Sequence, residues 1–339
     1  MRAGREERRG GMEEELTPDE IRERYGGLPY ITPYEKIVAL TDEIGEHVEL
    51  HEYHARGRCG GGAAWEVYHY ARTSSLVINA RREGARNIFT CRTGTAALEL
   101  TPGVSGAGLE EVRIEGDQVA VTYAGLAGGG VAATLCRGMA ENVLSTVVHQ
   151  RGGGSGLGRA TLRLPASRKL IVGVDDTDDA ERGATWSTVN EIAFALEEER
   201  ECVYLGHTIV QLFPDNPHKT TNCCSTAVVM GVDPGRAEAV GERFEEMLAE
   251  RCYSDQCGMA VSGKVLIGEQ LRGFTVAARH RMVTLEDAQG VAGRSGVDLR
   301  EVTGPRGCIG ALAAVGAHNA PDTAVIPFGG AMGGGAGAG

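Results

Sequence analysis

Four aspartates crowd one short segment of the chain, Asp175-Asp-Thr-Asp-Asp179. The segment follows Lys169-Leu-Ile-Val-Gly-Val174, a continuous apolar run that is typical of a buried central strand. Like charges this close raise one another's proton affinity, and a bound divalent cation removes the conflict. Carboxylate oxygens suit Mg²⁺, which commonly brings phosphate oxygens with it. The pattern therefore indicates a Mg²⁺–nucleotide site at this segment. A solvated acidic turn that caps the next helix is an equally weighted alternative.

Two later segments carry cations that such a site would use. Lys219 follows two prolines and precedes Thr220 and Asn222, so that it could pair with phosphate oxygens as a point charge. Arg306 and Gly307 stand ahead of a run of small residues that predicts a helix, and free N–H groups at a helix start attract anions. An ordinary polar loop and close helix packing are the respective alternatives.

The elements that would position these residues predict two mixed domains of the α+β (α/β-like) class. The stretch Arg151-Gly-Gly-Gly-Ser-Gly-Leu-Gly158 is the clearest linker, because so many glycines carry a high entropic cost in a packed element. The predicted divisions are a disordered tail (1–16), a mixed N-terminal domain (17–150), the linker with a lead-in strand (151–167), an ATP-binding domain (168–328) and a disordered glycine tail (329–339).

Periodicity and capping signals predict the elements within each domain. In the first domain, Thr17, Pro18 and Glu20 predict a capped helix. The other elements predicted there are a helix from 33, strands at 65–70, 96–100, 109–114 and 118–123, and a long helix over 131–149. In the second, the predictions are strands at 169–174, 208–213 and 225–230, weaker strands at 264–267 and 274–277, and helices at 188–199, 238–251 and 308–316.

The N-terminal domain also contains polar groups that could bind a ligand. His51, His54 and His69 with Cys59 suggest a metal, but their spacing fits no common site, so exposed polar surface is the favoured interpretation. Gly128–Gly130 before a helix could hold an anionic substrate, although a simple turn or cap is favoured.

Composition excludes several classes of protein. The chain has 339 residues and a net charge of −12, from 34 Lys and Arg against 46 Asp and Glu, which disfavours a nucleic-acid partner. Its sequence lacks the run of about 18 apolar residues that a membrane span requires. The first ten residues lack an apolar signal core, so we expect a cytoplasmic protein. Nine cysteines at irregular spacing do not predict a disulfide framework.

Three segments, in this order, resemble the ATP-using kinase-like domain of archaeal tRNA-isoleucine agmatinylcytidine synthetase. They are Gly173-Val-Asp-Asp-Thr-Asp178, Phe213-Pro-Asp-Asn-Pro-His-Lys-Thr-Thr-Asn222 and Pro305-Arg-Gly-Cys-Ile-Gly-Ala-Leu-Ala-Ala314. The resemblance covers roughly residues 168–328 and implies a kinase-like domain that binds Mg²⁺ and ATP. The tRNA-handling domains of that family have no counterpart here, so a tRNA-modifying role is not carried over.

The resemblance also implies roles for individual residues. Gapless counting places the family's phosphoryl-transfer threonine at Thr185, where Ala184 and Trp186 depart from the family's Cys-Thr-Thr pattern. We expect the following assignments: catalytic, Asp176, Thr185 and Lys219; ATP-binding, Thr177, Lys219, Thr220, Asn222, Arg306 and Gly307; metal-binding, Asp175, Asp176 and Asp178.

The whole chain is similar to the methanogenesis marker protein 11 family, through its length and the segments Arg72-Thr-Ser-Ser75 and Gly183-Ala-Thr-Trp186. This resemblance implies a methanogenic archaeon and a role in maturing a methanogenesis enzyme or coenzyme. The expected function is phosphoryl or adenylyl transfer from Mg²⁺-ATP to an unknown small molecule or methanogenesis protein. The alternatives are an ATP-gated assembly factor and a nucleotide-binding protein with a degenerate site; a homo-oligomer is left open.

Overall fold

The computed structural model describes residues 13–327, which divide between Ser167 and Arg168 into two compact units. We call them the N-terminal and the C-terminal unit. Residues 1–12 and 329–339, which belong to the predicted tails, lie outside the described residues. Glu14–Leu16 were also assigned to the N-terminal tail, but they form a strand that pairs with Thr146–Val148.

The N-terminal unit is built from antiparallel strands with helices packed on them. Its elements are β1 (Glu14–Leu16), α1 (Pro18–Tyr25), β2 (Ile37–Thr41), β3 (His47–Tyr53), α2 (Ala55–Arg58), α3 (Gly60–Thr73), β4 (Val77–Glu83), β5 (Arg86–Arg92), β6 (Gly94–Thr95), β7 (Ala107–Glu115), β8 (Gln118–Leu126), α4 (Ala127–Val131) with a π-helical turn (Ala132–Cys136), β9 (Ser145–Gly153) and β10 (Gly156–Asp175). Strand β10 continues into the C-terminal unit. Pairing gives the orders β4-β5-β3-β2 and β6-β7-β8-β10-β9-β1.

Local signals fix two of these elements as predicted. The Thr17 hydroxyl accepts a hydrogen bond from the Glu20 amide (3.3 Å), and the Glu20 carboxylate accepts one from the Thr17 amide (2.8 Å), which confirms the capping box of α1. The strands predicted at 109–114 and 118–123 also form, as β7 and β8 of one hairpin, and Gly116 at its turn has a φ of +65°.

Other predictions for this unit are wrong. Residues 65–70 lie in α3, because the buried side chains Glu66, His69 and Tyr70 follow helical spacing although two of them are polar. Residues 37–40 are strand β2, and no strand forms at 96–100. The long helix predicted over 131–149 ends before Asn142, whose φ is +68°, and β9 follows.

The predicted linker is also a folded element. Residues 151–158 belong to the hairpin of β9 and β10, in which Gly152, Gly153 and Gly154 take left-handed φ values of +77°, +98° and +57°. A Cβ on Gly158 would lie 2.2 Å from the Gly130 carbonyl oxygen, so close packing also requires a glycine there. Glycine-rich composition in this segment therefore reflects turn geometry and close packing.

The C-terminal unit is a five-stranded antiparallel sheet with helices. After the second part of β10, its elements are α5 (Thr185–Glu198), β11 (Cys202–Gln211), β12 (Cys224–Val232), a 3₁₀ turn (Pro234–Arg236), α6 (Ala237–Arg251), β13 (Gly258–Ser262), α7 (Glu269–His280), α8 (Leu285–Ser295), β14 (Asp298–Glu301), α9 (Gly307–Ala317) and α10 (Pro321–Ala324). The strand order is β11-β12-β10-β13-β14. The fold is mixed α+β, as the sequence predicts, while its kinase-like character stays a prediction.

Two weaker strand predictions in this unit are wrong. Residues 264–267 form no strand, and residues 274–277 lie inside α7. The buried residues of α7 include Leu271, Phe274, Thr275 and Ala278, which recur at helical spacing. A four-residue apolar run is too short to distinguish the period of a helix from that of a strand, so the surrounding residues determine which element forms.

Helix α9 packs directly on strand backbone, as its small residues predict. A Cβ on Gly173 of β10 would lie 2.1 Å from the Ala311 carbonyl oxygen, and one on Gly258 of β13 would lie 2.1 Å from the Cys308 amide. This contact brings the start of α9 against the end of β10. Within residues 13–327, no helix is both long and apolar enough to cross a membrane.

Candidate functional site

The acidic segment begins where β10 ends. Asp175 is the last residue of the strand, and its Oδ1 accepts a hydrogen bond from the Asp176 amide (2.9 Å). Burial, together with the charges of Asp176 and Asp178, raises the pKa of the Asp175 carboxyl well above its usual range. Asp176 has a φ of +62°, a left-handed conformation that a residue with a side chain rarely adopts. The segment thus combines crowded carboxylates with an unusual backbone.

Asp176 is paired with Arg306. The Nε and Nη2 atoms of Arg306 lie 2.9 and 2.8 Å from Asp176 Oδ2, and the Ser254 hydroxyl donates to Oδ1 (3.4 Å). Burial nevertheless raises the pKa of Asp176, against the lowering effect of Arg306. Arg306 precedes α9 and therefore ties that helix to the acidic segment.

Asp178 is held by two hydroxyl groups. The Thr185 hydroxyl at the start of α5 donates to Asp178 Oδ1 (2.9 Å), and the Thr220 hydroxyl donates to Oδ2 (2.9 Å). Thr185 Oγ1 also accepts from the hydroxyl (3.0 Å) and the amide (3.3 Å) of Thr177. The Thr185 hydroxyl is thus fully engaged inside the protein, where only 7% of the residue is exposed.

A cleft that is partly open to solvent runs past these carboxylates. Its wall contains the cations Lys219, Arg281 and Arg306 and the apolar side chains of Phe213 and Met282. The Lys219 ammonium donates to the Pro214 carbonyl oxygen of its own loop. Carboxylates, cations and apolar surface therefore line one cleft, which is the composition that a nucleotide and its metal require.

The structure brings most of the predicted site residues together. Those lining the cleft are Asp175, Asp176, Asp178, Lys219, Thr220, Asn222 and Arg306. Thr177, Thr185 and Gly307 do not line it. Thr177 is 1% exposed, and a Cβ on Gly307 would lie 2.3 Å from the Gly258 amide, so both positions serve internal packing.

Sequence reasoning missed part of the cleft. Arg281, Met282 and Val283 come from the segment after α7, which contains no recognisable motif. Phe213 lies within one of the recognised segments but received no role. Its position just after β11, next to a run of polar loop residues, was the available signal.

The three aspartates do not form a ready-made metal cage. Across the described part of the chain, no group of three or more His, Cys, Asp or Glu side chains is arranged to hold a metal ion. Asp176 is engaged by Arg306, and a metal role for all three aspartates stays a prediction. Mg²⁺ nevertheless needs only one or two carboxylates when phosphates supply other ligands, and the crowded carboxylates of Asp175 and Asp178 fit that requirement.

Comparison with known proteins places the chain in a family. It is 41% identical over 283 residues to "Uncharacterized protein MJ0921" of Methanocaldococcus jannaschii, covering 84% of this chain and 93% of that protein. The chain belongs to the MJ0921 family. The family model for the TiaS TCKD domain matches residues 171–244, which include the aspartates and Lys219 but end before Arg306. This match supports the TiaS-like part of the sequence resemblance, whereas the relation to methanogenesis marker protein 11 stays a prediction.

Solved structures of TiaS, described as a tRNA agmatidine synthetase, are also similar. A complex of TiaS with tRNA and ATP is 25% identical with a TM-score of 0.40, and a complex of TiaS with tRNA, AMPCPP and agmatine is 23% identical with a TM-score of 0.38. Each match covers 44% of this chain, which spans 36% of the length of either TiaS chain. Both complexes contain tRNA, and the expectation that nucleic acid is no partner of this chain stays a prediction.

Proposed function

We propose that the C-terminal unit binds Mg²⁺-ATP in the cleft and transfers a phosphoryl or adenylyl group to a second substrate. The observation that carries this proposal is the crowding of Asp175 and Asp178 at the end of β10, in a cleft that cations also line. The match of residues 171–244 to the TiaS family model supports it, because TiaS has been crystallised with ATP.

The residues that line the cleft have different roles in the proposed binding of Mg²⁺-ATP. Asp175 and Asp178 would hold Mg²⁺, which when bound would neutralise carboxylate and phosphate charge together. Lys219 and Arg281 would offset the remaining phosphate charge, the main electrostatic task in phosphoryl transfer. Phe213 and Met282 offer apolar surface for the nucleobase, and Thr220 and Asn222 lie beside them as polar partners.

Asp176 and Thr185 act by positioning in this proposal. Asp176 holds Arg306 at the start of α9, and Thr185 holds the carboxylate of Asp178 toward Thr220. The resemblance gave Thr185 a part in phosphoryl transfer. Its hydroxyl is 2.9 Å from Asp178 and outside the cleft lining, so we assign it to orientation of that carboxylate.

Calorimetric titration of the full chain with ATP and Mg²⁺ tests the binding site. Asp175→Asn and Asp178→Asn should each weaken Mg²⁺-ATP at least about tenfold, or ~1.4 kcal/mol, because each removes a charged metal ligand. Asp179→Asn is the matched control, since Asp179 binds the amides of Glu181 and Arg182 and does not line the cleft. Unchanged Mg²⁺-ATP affinity in both Asp175→Asn and Asp178→Asn would rule out the proposed metal site.

Transfer of label from ATP distinguishes a group-transfer enzyme from an assembly factor and from a degenerate nucleotide-binding site. Incubation with α- and γ-labelled ATP and a methanogen extract should transfer one label to a small molecule or protein, which identifies adenylyl or phosphoryl transfer. ATP turnover that requires a partner protein, with no labelled product, would favour an assembly factor. Tight Mg²⁺-ATP binding without turnover would favour a degenerate site, and label on added tRNA would identify a tRNA-modifying enzyme.

A further inference from the structure

A second cavity lies entirely within the N-terminal unit, and the proposed function does not use it. It has a volume of about 450 Å³, is largely open to solvent, and lies between the segment that joins β3 to α3 and the π-helical turn after α4. Apolar parts of Tyr34, Val131 and Ala132 form one side of it. This volume is in the range of small-molecule sites, which are concave and mostly apolar with a few polar groups.

The charged groups of this cavity are all basic. Arg56 and Arg58 line it together with His54, and no acidic side chain lines it within the part of the chain that is described. No ion pair joins either arginine to a described residue and both are exposed, although the Glu35 carboxylate lies close to Gly57, the residue between them. In a chain with a net charge of −12, two unpaired guanidinium groups at one apolar cavity favour an anionic ligand.

His54 supplies a polar group that the protein leaves unsatisfied. Its side chain is only 9% exposed, and Nε2 lies 3.6 Å from a Glu66 carboxylate oxygen, with the ring 4.6 Å from that of Tyr34. Nδ1 has no hydrogen-bond partner among residues 13–327. A buried ring nitrogen without a partner is uncommon in folded proteins, so this part of the cavity wall is unusual.

The backbone of this cavity is unusual on both sides. Ala55, Arg56 and Gly57 take consecutive left-handed φ values of +27°, +57° and +67°, which places two non-glycine residues in a strained conformation. A Cβ on Gly62 would lie 2.3 Å from His54 Cε1 and 2.8 Å from Cys59 Sγ, so glycine there makes room for both side chains. Strained segments and π-helical turns both occur preferentially at functional sites.

We propose that this cavity binds a small organic anion, a carboxylate or a phosphate ester attached to an apolar body. Arg56 and Arg58 bind the charged group, since a guanidinium matches both anions through paired N–H donors. The apolar body packs on Tyr34 and Val131, which line the same cavity. The proposed site does not involve ATP, so this proposal can be tested independently of the function proposed for the C-terminal unit.

Fluorine NMR of the full chain tests the proposal with defined probes. The expected result is that 4-fluorobenzoate or 4-fluorophenyl phosphate binds with a Kd on the order of 1 mM, while neutral 4-fluorobenzamide binds at least about tenfold more weakly. Preference for one anion identifies the charged group. Arg56→Gln and Arg58→Gln should each weaken the anion severalfold, whereas Arg92→Gln, an exposed arginine outside the cavity, should not.

Alkylation of Cys59 locates the bound probe. Cys59 lines the cavity and is the exposed member of the nine free cysteines, so a maleimide should label it. Labelling is measured at the Cys59 peptide by mass spectrometry, because the partly exposed Cys252, whose pKa is lowered to about 7 by its hydrogen bond with Cys257, should also react. The anionic probe should slow this labelling in the wild type and in Arg92→Gln, but less in Arg56→Gln. Equal binding of the anion and the amide, no binding of any probe at about 10 mM, or unchanged affinity in both arginine variants would overturn the proposal.

Discussion

At the scale of single residues, Asp175 combines burial with crowding by like charges. Burial and two neighbouring carboxylates raise the pKa of its carboxyl, which means that the ionised form is destabilised in the folded chain. Asp176 is compensated by Arg306 and Asp178 by two hydroxyl donors, whereas Asp175 accepts one backbone hydrogen bond. A residue that destabilises the fold in this way is typical of a binding site.

Asp175→Asn should therefore stabilise the protein in the absence of Mg²⁺. Because the pKa of Asp175 is higher in the folded than in the unfolded chain, the free energy of unfolding of the wild type falls as pH rises from about 4 through the raised pKa. Asp175→Asn has no carboxyl group at this position, so its free energy of unfolding does not fall in this way. The difference in stability between the variant and the wild type should therefore be largest at pH values above the raised pKa. Urea denaturation in EDTA at a series of pH values measures the difference.

Asp179→Asn provides a control of opposite sign. Hydrogen bonds from the Glu181 amide and the Arg182 side chain lower the pKa of Asp179, so its charge stabilises the fold at neutral pH and the stabilisation disappears as pH falls through that lowered pKa. Removing this carboxylate should make the protein less stable at pH 7. If Asp175→Asn were also less stable than the wild type in EDTA at pH 7, the inferred repulsion among the carboxylates would be refuted.

At the scale of elements, the approach of α9 to β10 sets the geometry of the cleft. A Cβ on Gly310 would lie 1.8 Å from Asp175 Oδ2, and one on Gly173 would lie 2.1 Å from the Ala311 carbonyl oxygen. Alanine at either position would push the helix and the strand apart. The same contact places Arg306 within reach of Asp176, so the packing of small residues and the arrangement of charges depend on each other.

Gly310→Ala should lower the free energy of unfolding by about 1–3 kcal/mol, because overpacking must displace either α9 or Asp175. Mg²⁺-ATP affinity should fall as well, since Asp175 moves. Gly273→Ala in α7 is the matched control, because a Cβ there meets nothing within 4 Å. Alanine should stabilise that helix by about 0.5–1 kcal/mol. Urea denaturation measures the free energy of unfolding of both variants. If Gly310→Ala were as stable as the wild type, the packing argument would be contradicted.

The sequence predicts elements well where burial follows hydrophobicity. In the C-terminal unit, β10, α5, β12, α6 and α9 were all anticipated, because their inward residues are apolar. Helix α3 was missed because its inward face carries Glu66 and His69. Glu66 is satisfied only by partners distant in sequence, among them Arg137 at 2.9 Å, which no local pattern reveals.

The candidate site shows the same limit. Asp175 and Lys219 were found because each lies in a recognisable segment, whereas Arg281 enters the cleft only through the placement of α7. The three histidines assigned to exposed surface are instead buried, with His51 2%, His54 7% and His69 5% exposed. A polar residue can be buried when hydrogen-bond or ion-pair partners from elsewhere in the fold offset the cost of its burial. The polarity of a single residue does not predict which partners the fold will supply.

At the scale of the whole molecule, the charges are unevenly distributed. The net charge is −12, yet two cavities, one in each unit, present unpaired or ligand-facing cations: Arg56 and Arg58 in one, Lys219 and Arg281 in the other. Small anionic ligands can reach such local cations in spite of the overall charge, because interactions between exposed charges beyond about 10 Å are screened at physiological salt. A long polyanion meets the remaining acidic surface as well.

This difference predicts weak binding of tRNA. A polyanion gains affinity by releasing counterions at many phosphate contacts, and an acidic surface offers few Lys and Arg groups for that purpose. Fluorescence anisotropy with a labelled tRNA transcript should give a Kd above about 10 μM near 150 mM salt, with a shallow dependence on salt concentration. A Kd below about 1 μM that weakens steeply between about 50 and 200 mM salt would show many phosphate contacts. In that case the local cations would belong to a continuous tRNA surface, and tRNA would replace the small molecule as the expected second substrate of the C-terminal cleft.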